Sequence, residues 1–378
     1  MPQPPPFCPN STCSNHRTPP GAGWYRPFGA YHTRAYGKVK RYLCLACGKS
    51  FSDQTFSLSY YLHLKIDLKD LFFSLASCSG IRALARKHGV TDKAISNRIG
   101  RLSRQAIGTM AGLRPFQASG EDLVADGFES FILSQYSPNN IHHLMGASSQ
   151  YVHACDLAHI RRKGRMTELQ KRKRERLERG NPRVSGEIHA SFDRICHAIR
   201  DLPSSRDTIV LHTDEKREYR AVLEANGYLE GRVKHRTTSS KQARTYHNPL
   251  WPVNYYDREL RKDQASMVRE TTRWSQETNN CLERTYAYAG YHNFFKPFRI
   301  RQHDMRTHAE VAGFPAPKIA SHQGRFFSDR FFYSKVSFNI SEWLVWLRAY
   351  HTPFRSGFQA LPAYVTGAER RRALPRAA

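Results

Sequence analysis

The sequence predicts a multidomain α+β protein, and three observations carry that prediction. Two short cysteine pairs lie near the N-terminus, and residues 60–111 follow with helical periodicity. From about residue 120, short apolar runs broken by turn residues alternate with amphipathic segments. A chain of 378 residues has room for two or three domains with a buried core. The expected divisions are 1–57, 60–112, 118–300 and an aromatic, basic extension at 301–378.

In the first division, CPNSTC places Cys8 and Cys13, and CLACGKSF places Cys44 and Cys47, on either side of a basic, aromatic stretch. Two tight turns that each present two thiolates satisfy tetrahedral zinc without a large core, so the segment reads as a small zinc ribbon with structural Zn²⁺. A disulfide pair or four unrelated buried thiols are the alternatives. His16 and His32 lie between the pairs and could replace a thiolate, but four cysteines already complete a site. Cys78, Cys155, Cys196 and Cys281 stand alone, as expected in a reducing compartment.

The formal charge of +27 and pI near 10.0 call for a polyanionic partner. No apolar run approaches the ~20 residues of a spanning helix, and the start MPQPPPF lacks a signal-peptide pattern. The expectation is a cytoplasmic, nucleoid-associated protein with no membrane partner.

Within the second division, residues 80–102 have the pattern of a helix-turn-helix. Ile81, Leu84 and Ala85 form one apolar face, and Gly89 permits a left-handed turn. Thr91 or Asp92 can cap the next helix, whose buried side would be Ala94, Ile95, Ile99 and Leu102. Its exposed side is then expected to carry Lys93, Ser96, Asn97, Arg98 and Arg101, which suit base edges and phosphates in a major groove. The competing reading is a helical hairpin with a solvated basic face.

The third division reads as an α/β domain with a mixed sheet. Residues 123–132 form a strand pattern, and 141–145 and 151–154 follow as antiparallel partners. The charged stretch 161–179 reads as a solvated helix or insertion, 188–202 as an amphipathic helix, and 207–214 as a buried strand ending in a carboxylate. Helical periodicity returns at 254–288, where the spacing of Trp274 suggests a core position. The aromatics after residue 294 suggest an accessory layer, and the last ten or so residues a disordered tail.

Asp126 and Asp214 are embedded in strand-like apolar sequence where each strand meets a polar turn. Such carboxylates are costly unless a cation satisfies them, and Mg²⁺ or Mn²⁺ held by oxygen ligands is suited to do so. Two strand acids and a third on a later helix are the parts of a two-metal phosphoryl-transfer centre. Exposed strand-end aspartates in turns are the plainer alternative.

The sequence resembles prokaryotic insertion-sequence transposases, which join a zinc ribbon and helix-turn-helix to a DDE catalytic domain of the ribonuclease H-like fold. The residues that carry the resemblance are the two cysteine motifs, the helix-turn-helix, Val-Ala-Asp126-Gly-Phe-Glu, Leu-His-Thr-Asp214-Glu and the block 248–275. It implies metal-dependent cleavage and strand transfer on double-stranded DNA, at element ends and at a target, by a homodimer or higher oligomer. Asp126 and Asp214 map onto the first two metal-binding carboxylates.

For the third, the matching position holds Asn254. Asp257, one turn later on the same helical face, takes the role by expectation, with Glu259 next and Glu270 after it. Lys234, His235, Arg236, Lys241, Arg244, Arg269 and Arg273 would offset phosphate charge. Rival readings are a non-catalytic DNA-binding regulator derived from a transposase and an RNA-directed nuclease.

Overall fold

The structure, a computed structural model, describes residues 4–18, 20–118, 120–180, 185–203, 208–229, 231–268 and 271–355. Arg269, Glu270 and the basic tail lie outside them. Among the described residues, no helix is long and apolar enough to cross a membrane.

A short helix α1 (Ser14–Arg17) precedes an antiparallel sheet of β1 (Tyr25–Thr33), β2 (Gly37–Cys44) and β3 (Ser50–Ser52). Its centre is small: Cys8, Cys13, Cys44 and Phe51 are buried, and half-buried Trp24, Tyr25, Tyr42 and Phe56 close around them. Then come α2 (Leu68–Leu75), α3 (Ile81–His88) and α4 (Asp92–Leu113). Gly89 ends α3 at φ 63°, the left-handed conformation glycine adopts without a Cβ penalty. Thr91 Oγ1 then accepts from the Ala94 N–H at 3.2 Å and starts α4. Ile95, Ile99 and Leu102 pack with Leu84 and Ala85 of α3 and with Leu71, Phe72 and Leu75 of α2.

The larger sheet comprises β4 (Leu123–Ile132), β5 (Ser134–Gly146), β6 (Val152–His159), β7 (Ile209–Asp214) and β8 (Val233–Thr238), in the order β6-β5-β4-β7-β8. β4, β5 and β6 form an antiparallel meander, whereas β7 pairs parallel to β4 and β8 parallel to β7. β5 is longer than the expected 141–145. Its first half carries Pro138, Asn139 and Asn140, whose polarity hides a buried strand.

Alternation along β4 feeds two cores. Leu123 and Ala125 face Phe192, Ile195 and Ile199 of α6 (Glu187–Arg200), with Tyr219 and Val222 of α7 (Arg217–Ala225). Val124, Phe128 and Ile132 face Val253, Tyr256 and Leu260 of α8 (Trp251–Asp263), and Leu282, Tyr286 and Ala289 of α9 (Thr278–Phe294). Helices on both faces explain why β5 and β6 are buried almost throughout. The charged stretch forms α5 (Glu168–Gly180), which buries no residue. The single helical period expected over 254–288 is instead two helices separated by 264–277, where Trp274 is half-buried beside Phe131.

β9 (Pro297–Arg299) pairs with β10 (Asp304–Thr307), and α10 (His308–Val311), α11 (Ala316–Arg325) and α12 (Ile340–Trp346) follow. This segment is not a separate layer. Phe314, Ile319, Val345 and Trp346 belong to the core shared with the sheet, and the Phe326 ring lies 5.2 Å from that of Phe72 in α2. The division expected at 300/301 therefore has no counterpart in the packing.

Candidate metal centres

The segment before β1 and the turn between β2 and β3 meet at one end of the small sheet, where Tyr25 pairs with Cys44, and bring four thiols together. Cys8 Sγ lies 3.6 Å from Cys47 Sγ, Cys13 Sγ lies 3.8 Å from Cys44 Sγ, and all four ligand atoms fall within 4.8 Å of one another. Ligands 2.3 Å from a tetrahedral zinc stand about 3.8 Å apart, so the four can hold a metal ion such as zinc. Burial opposes ionisation of Cys44, but Asn15 Nδ2, donating at 3.6 Å, and the backbone N–H groups of Cys47 and Ala46 outweigh it, and its pKa falls to about 6. That favours the thiolate a metal needs.

Burial pushes Cys8 and Cys13 up. His16 is not in the ligand set: its Nδ1 meets the Cys8 carbonyl at 2.6 Å and its Nε2 the Ser334 hydroxyl at 2.7 Å. His32 is exposed on β1.

The acidic residues meet on the sheet face covered by α8. β4 and β7 pair with Val124 opposite His212, and that register, carried two residues further, sets Asp126 beside Asp214 with both side chains on the α8 face. Burial and repulsion from Asp214 and Asp257 raise the Asp126 pKa to about 7, against the partial relief of a Gly127 N–H donated at 2.7 Å. Asp214 Oδ1 accepts from the Lys216 N–H at 3.0 Å. Asp257 projects from the middle of α8, and its Oδ1 lies 3.3 Å from His143 Nδ1 without hydrogen-bond alignment. Among the described residues, the close group of potential metal ligands is the four cysteines, and the three aspartates do not form such a group.

Glu259 does not join them. Two residues on from Asp257, it points elsewhere around α8, and its Oε2 accepts from Lys296 Nζ at 2.7 Å and Lys262 Nζ at 2.8 Å. Burial would raise its pKa, but those two ammonium groups hold it below the ordinary value. Asn254 turns its amide back to the Leu250 carbonyl at 2.9 Å. Glu270 lies outside the described residues.

Neither a protein-family model nor a curated protein matches this chain.

The residues expected on the exposed side of α4 divide. Lys93 is exposed, and Ser96 and Asn97 are half-buried. Arg98 and Arg101 require correction: they are 6% and 3% exposed, because they donate to the Leu64 carbonyl at 3.0 Å and the Leu58 carbonyl at 2.9 Å. The irregular segment before α2 leaves those acceptors open, and the two guanidinium groups reach back to satisfy them.

Of the basic residues, Lys234 and Arg236 are exposed on the edge strand β8, on the face shared by His212 and Asp214. His235 turns to the other face, 2.8 Å from Thr213 Oγ1. Lys241, Arg244 and Arg273 are exposed, and Arg269 lies outside the described residues.

Sequence reasoning missed His143, which is paired across the sheet with Asp126 and set against Asp257. The signal was present: two adjacent histidines in the apolar run Ile141-His-His-Leu-Met145.

Proposed function

We propose that this protein is a DDE-type DNA transposase of an insertion sequence, whose larger α/β domain is ribonuclease H-like and cleaves and joins DNA by metal-dependent phosphoryl transfer. The observation that carries the reading is the convergence of three aspartates from β4, β7 and α8 on one sheet face. The mixed five-stranded sheet with helices on both faces is compatible with that fold. The donor set fits Mg²⁺ or Mn²⁺: the ligands are hard oxygens, Asp126 is driven toward protonation by burial and by its neighbours, and Asp257 Oδ1 has no hydrogen-bond partner among the described residues.

Asp126, Asp214 and Asp257 would hold the ions, which when bound supply Lewis-acid polarisation of the attacking water or 3'-hydroxyl and of the scissile phosphate. The chain's own contribution is geometric and electrostatic. β4 and β7 fix two carboxylates at adjacent positions of a rigid sheet, and α8 brings the third down onto it. His143 backs Asp257 from β5, and the exposed Lys234 and Arg236 lie on the side where a phosphate backbone would pass. The α3–α4 helix pair and the net charge of +27 support duplex DNA as partner.

The test replaces Asp126 or Asp214 with asparagine and follows Mn²⁺-dependent nicking of DNA that carries the element ends. Loss of cleavage with retained DNA binding is expected. Cleavage undiminished in both variants rejects the assignment, and binding without any metal-dependent cleavage by the unaltered protein would leave a regulator derived from a transposase.

A further inference from the structure

We propose that the cleft between α3, the first turns of α4 and the segment 272–277 holds a phosphate of a nucleic-acid backbone, seated on the guanidinium of Arg284. The inference rests on the nucleic-acid reading above and adds to it a site away from the aspartates.

The cleft encloses about 1010 Å³. Arg284 lines it from α9 and is 3% exposed, yet among the described residues its Nε and Nη2 have no hydrogen-bond partner. A buried guanidinium with unpaired donors is costly unless an anion close by offsets its charge, as a phosphate in the cleft would. Burial pushes its pKa down to about 10, offset in part by the thiols of Cys281 and Cys78, so the charge is under strain.

The two carboxylates of the cleft are engaged elsewhere. Asp92 Oδ1 accepts from the Lys93 N–H at 2.8 Å, and Glu277 is held by Arg348 at 3.0 Å and Arg355 at 3.4 Å.

The rim says which anion. Arg82 and Arg86 of α3, Lys93 of α4 and Arg273 of the opposite segment are all exposed at the cleft. A lone phosphate needs one seat, whereas a row of cations leading to that seat suits a polyanion whose successive phosphates each find a partner. Ser96 and Asn97 line the same cleft, so the face of α4 suited to reading bases opens onto this seat and is walled by residues that follow α8. A strand there is gripped from both sides, by the helix pair and by the segment joined to the aspartate-bearing helix.

The experiment measures binding of fluorescent DNA by the full chain between about 50 and 200 mM salt. It compares the unaltered protein with Arg284→Met, Arg284→Lys and the rim variant Arg82→Ala/Arg273→Ala. Arg284→Met is expected to bind about tenfold more weakly. Its log K against log salt should be shallower by about 0.9 for duplex or about 0.7 for single-stranded DNA. Its thermal midpoint should be unchanged or raised, because a buried unpaired charge is gone.

Arg284→Lys should recover part of the slope, and the rim variant, altered only at the surface, should flatten it while folding normally. An unchanged slope in both Arg284→Met and the rim variant overturns the proposal. If Arg284→Met does not fold, the rim variant and Arg284→Lys decide. Stabilisation of the unaltered protein by inorganic phosphate, lost in Arg284→Met while DNA binding stays the same, would assign the seat to the free ion and likewise overturn it. Failure of the unaltered protein to bind DNA at any salt would instead remove the nucleic-acid reading itself.

Discussion

Asp126 keeps its proton far above the ordinary carboxylate range because burial and two neighbouring aspartates penalise its charge. The sign of the resulting pH dependence follows. Between about pH 4 and 7 the folded chain binds this proton more tightly than the unfolded chain does, so stability falls as pH rises through that window and stays low above it. In chelator, denaturant midpoints should drop across this range, Mn²⁺ should restore them, and Asp126→Asn should flatten the dependence. A profile in Asp126→Asn like that of the unaltered chain would show that the strain lies elsewhere.

Asp257 and Glu259 should separate just as cleanly. Asp257→Asn should lose metal-dependent cleavage with little change in unfolding. Glu259→Gln takes the charged partner from Lys296, which keeps the Tyr255 hydroxyl at 3.1 Å, and should cost about 1–3 kcal/mol by urea titration. The sequence made Asp126 and Asp214 legible, since an acid inside an apolar run needs a reason. It could not separate Asp257 from Glu259, because only packing shows which way each points from α8. Arg98 and Arg101 were misplaced because helical periodicity marks a face as polar but says nothing of carbonyls in a neighbouring loop.

Among the elements, the crossing of α4 and α9 is the closest approach between helices that glycine permits here. A Cβ added at Gly290 would stand 2.6 Å from Ala106 Cβ, with the Phe326 ring at 3.7 Å behind it. Gly290→Ala should therefore destabilise: overpacking costs about 1–3 kcal/mol and outweighs the ~1 kcal/mol gained in helix propensity. A urea midpoint that rises would show that the helices can part without loss. The turn at Gly89 and the cap at Thr91 were readable, because each rests on one residue's own backbone or side chain. That α4 continues as a buried strut from Arg98 to Leu113 was not. Its inward residues include Arg104, which donates to the Trp346 carbonyl at 2.7 Å, and Ser103, Gln105 and Thr109, and polar identities disguise burial.

Across the whole molecule, the regions the sequence separates are packed into one another. Phe7 of the small N-terminal sheet region meets Phe332 at 5.1 Å, and Lys335 donates to the His16 carbonyl. Phe326 fills the core of the α2–α4 helices. A fragment of residues 60–112 should accordingly show no cooperative thermal melt by circular dichroism, since α4 would expose the side that α9 and Phe326 cover. A sharp melt from that fragment would mark it as independent after all. Composition and motif order suggest a sequence of parts. Their interlocking depends on contacts between residues hundreds of positions apart, and no local pattern encodes those.

The unbroken course of α4 carries a mechanical corollary. Its 22 residues make a rod about 33 Å long, with one tip at the cationic cleft and the far half packed against α9, where Ile107, Met110 and Leu113 join the core shared with the sheet. The helix runs without interruption, so on the reading proposed above a nucleic acid gripped at the tip would be registered against the acidic face as by a fixed ruler. Matching a different spacing in the substrate would require changing the length of that rod rather than relaxing a joint.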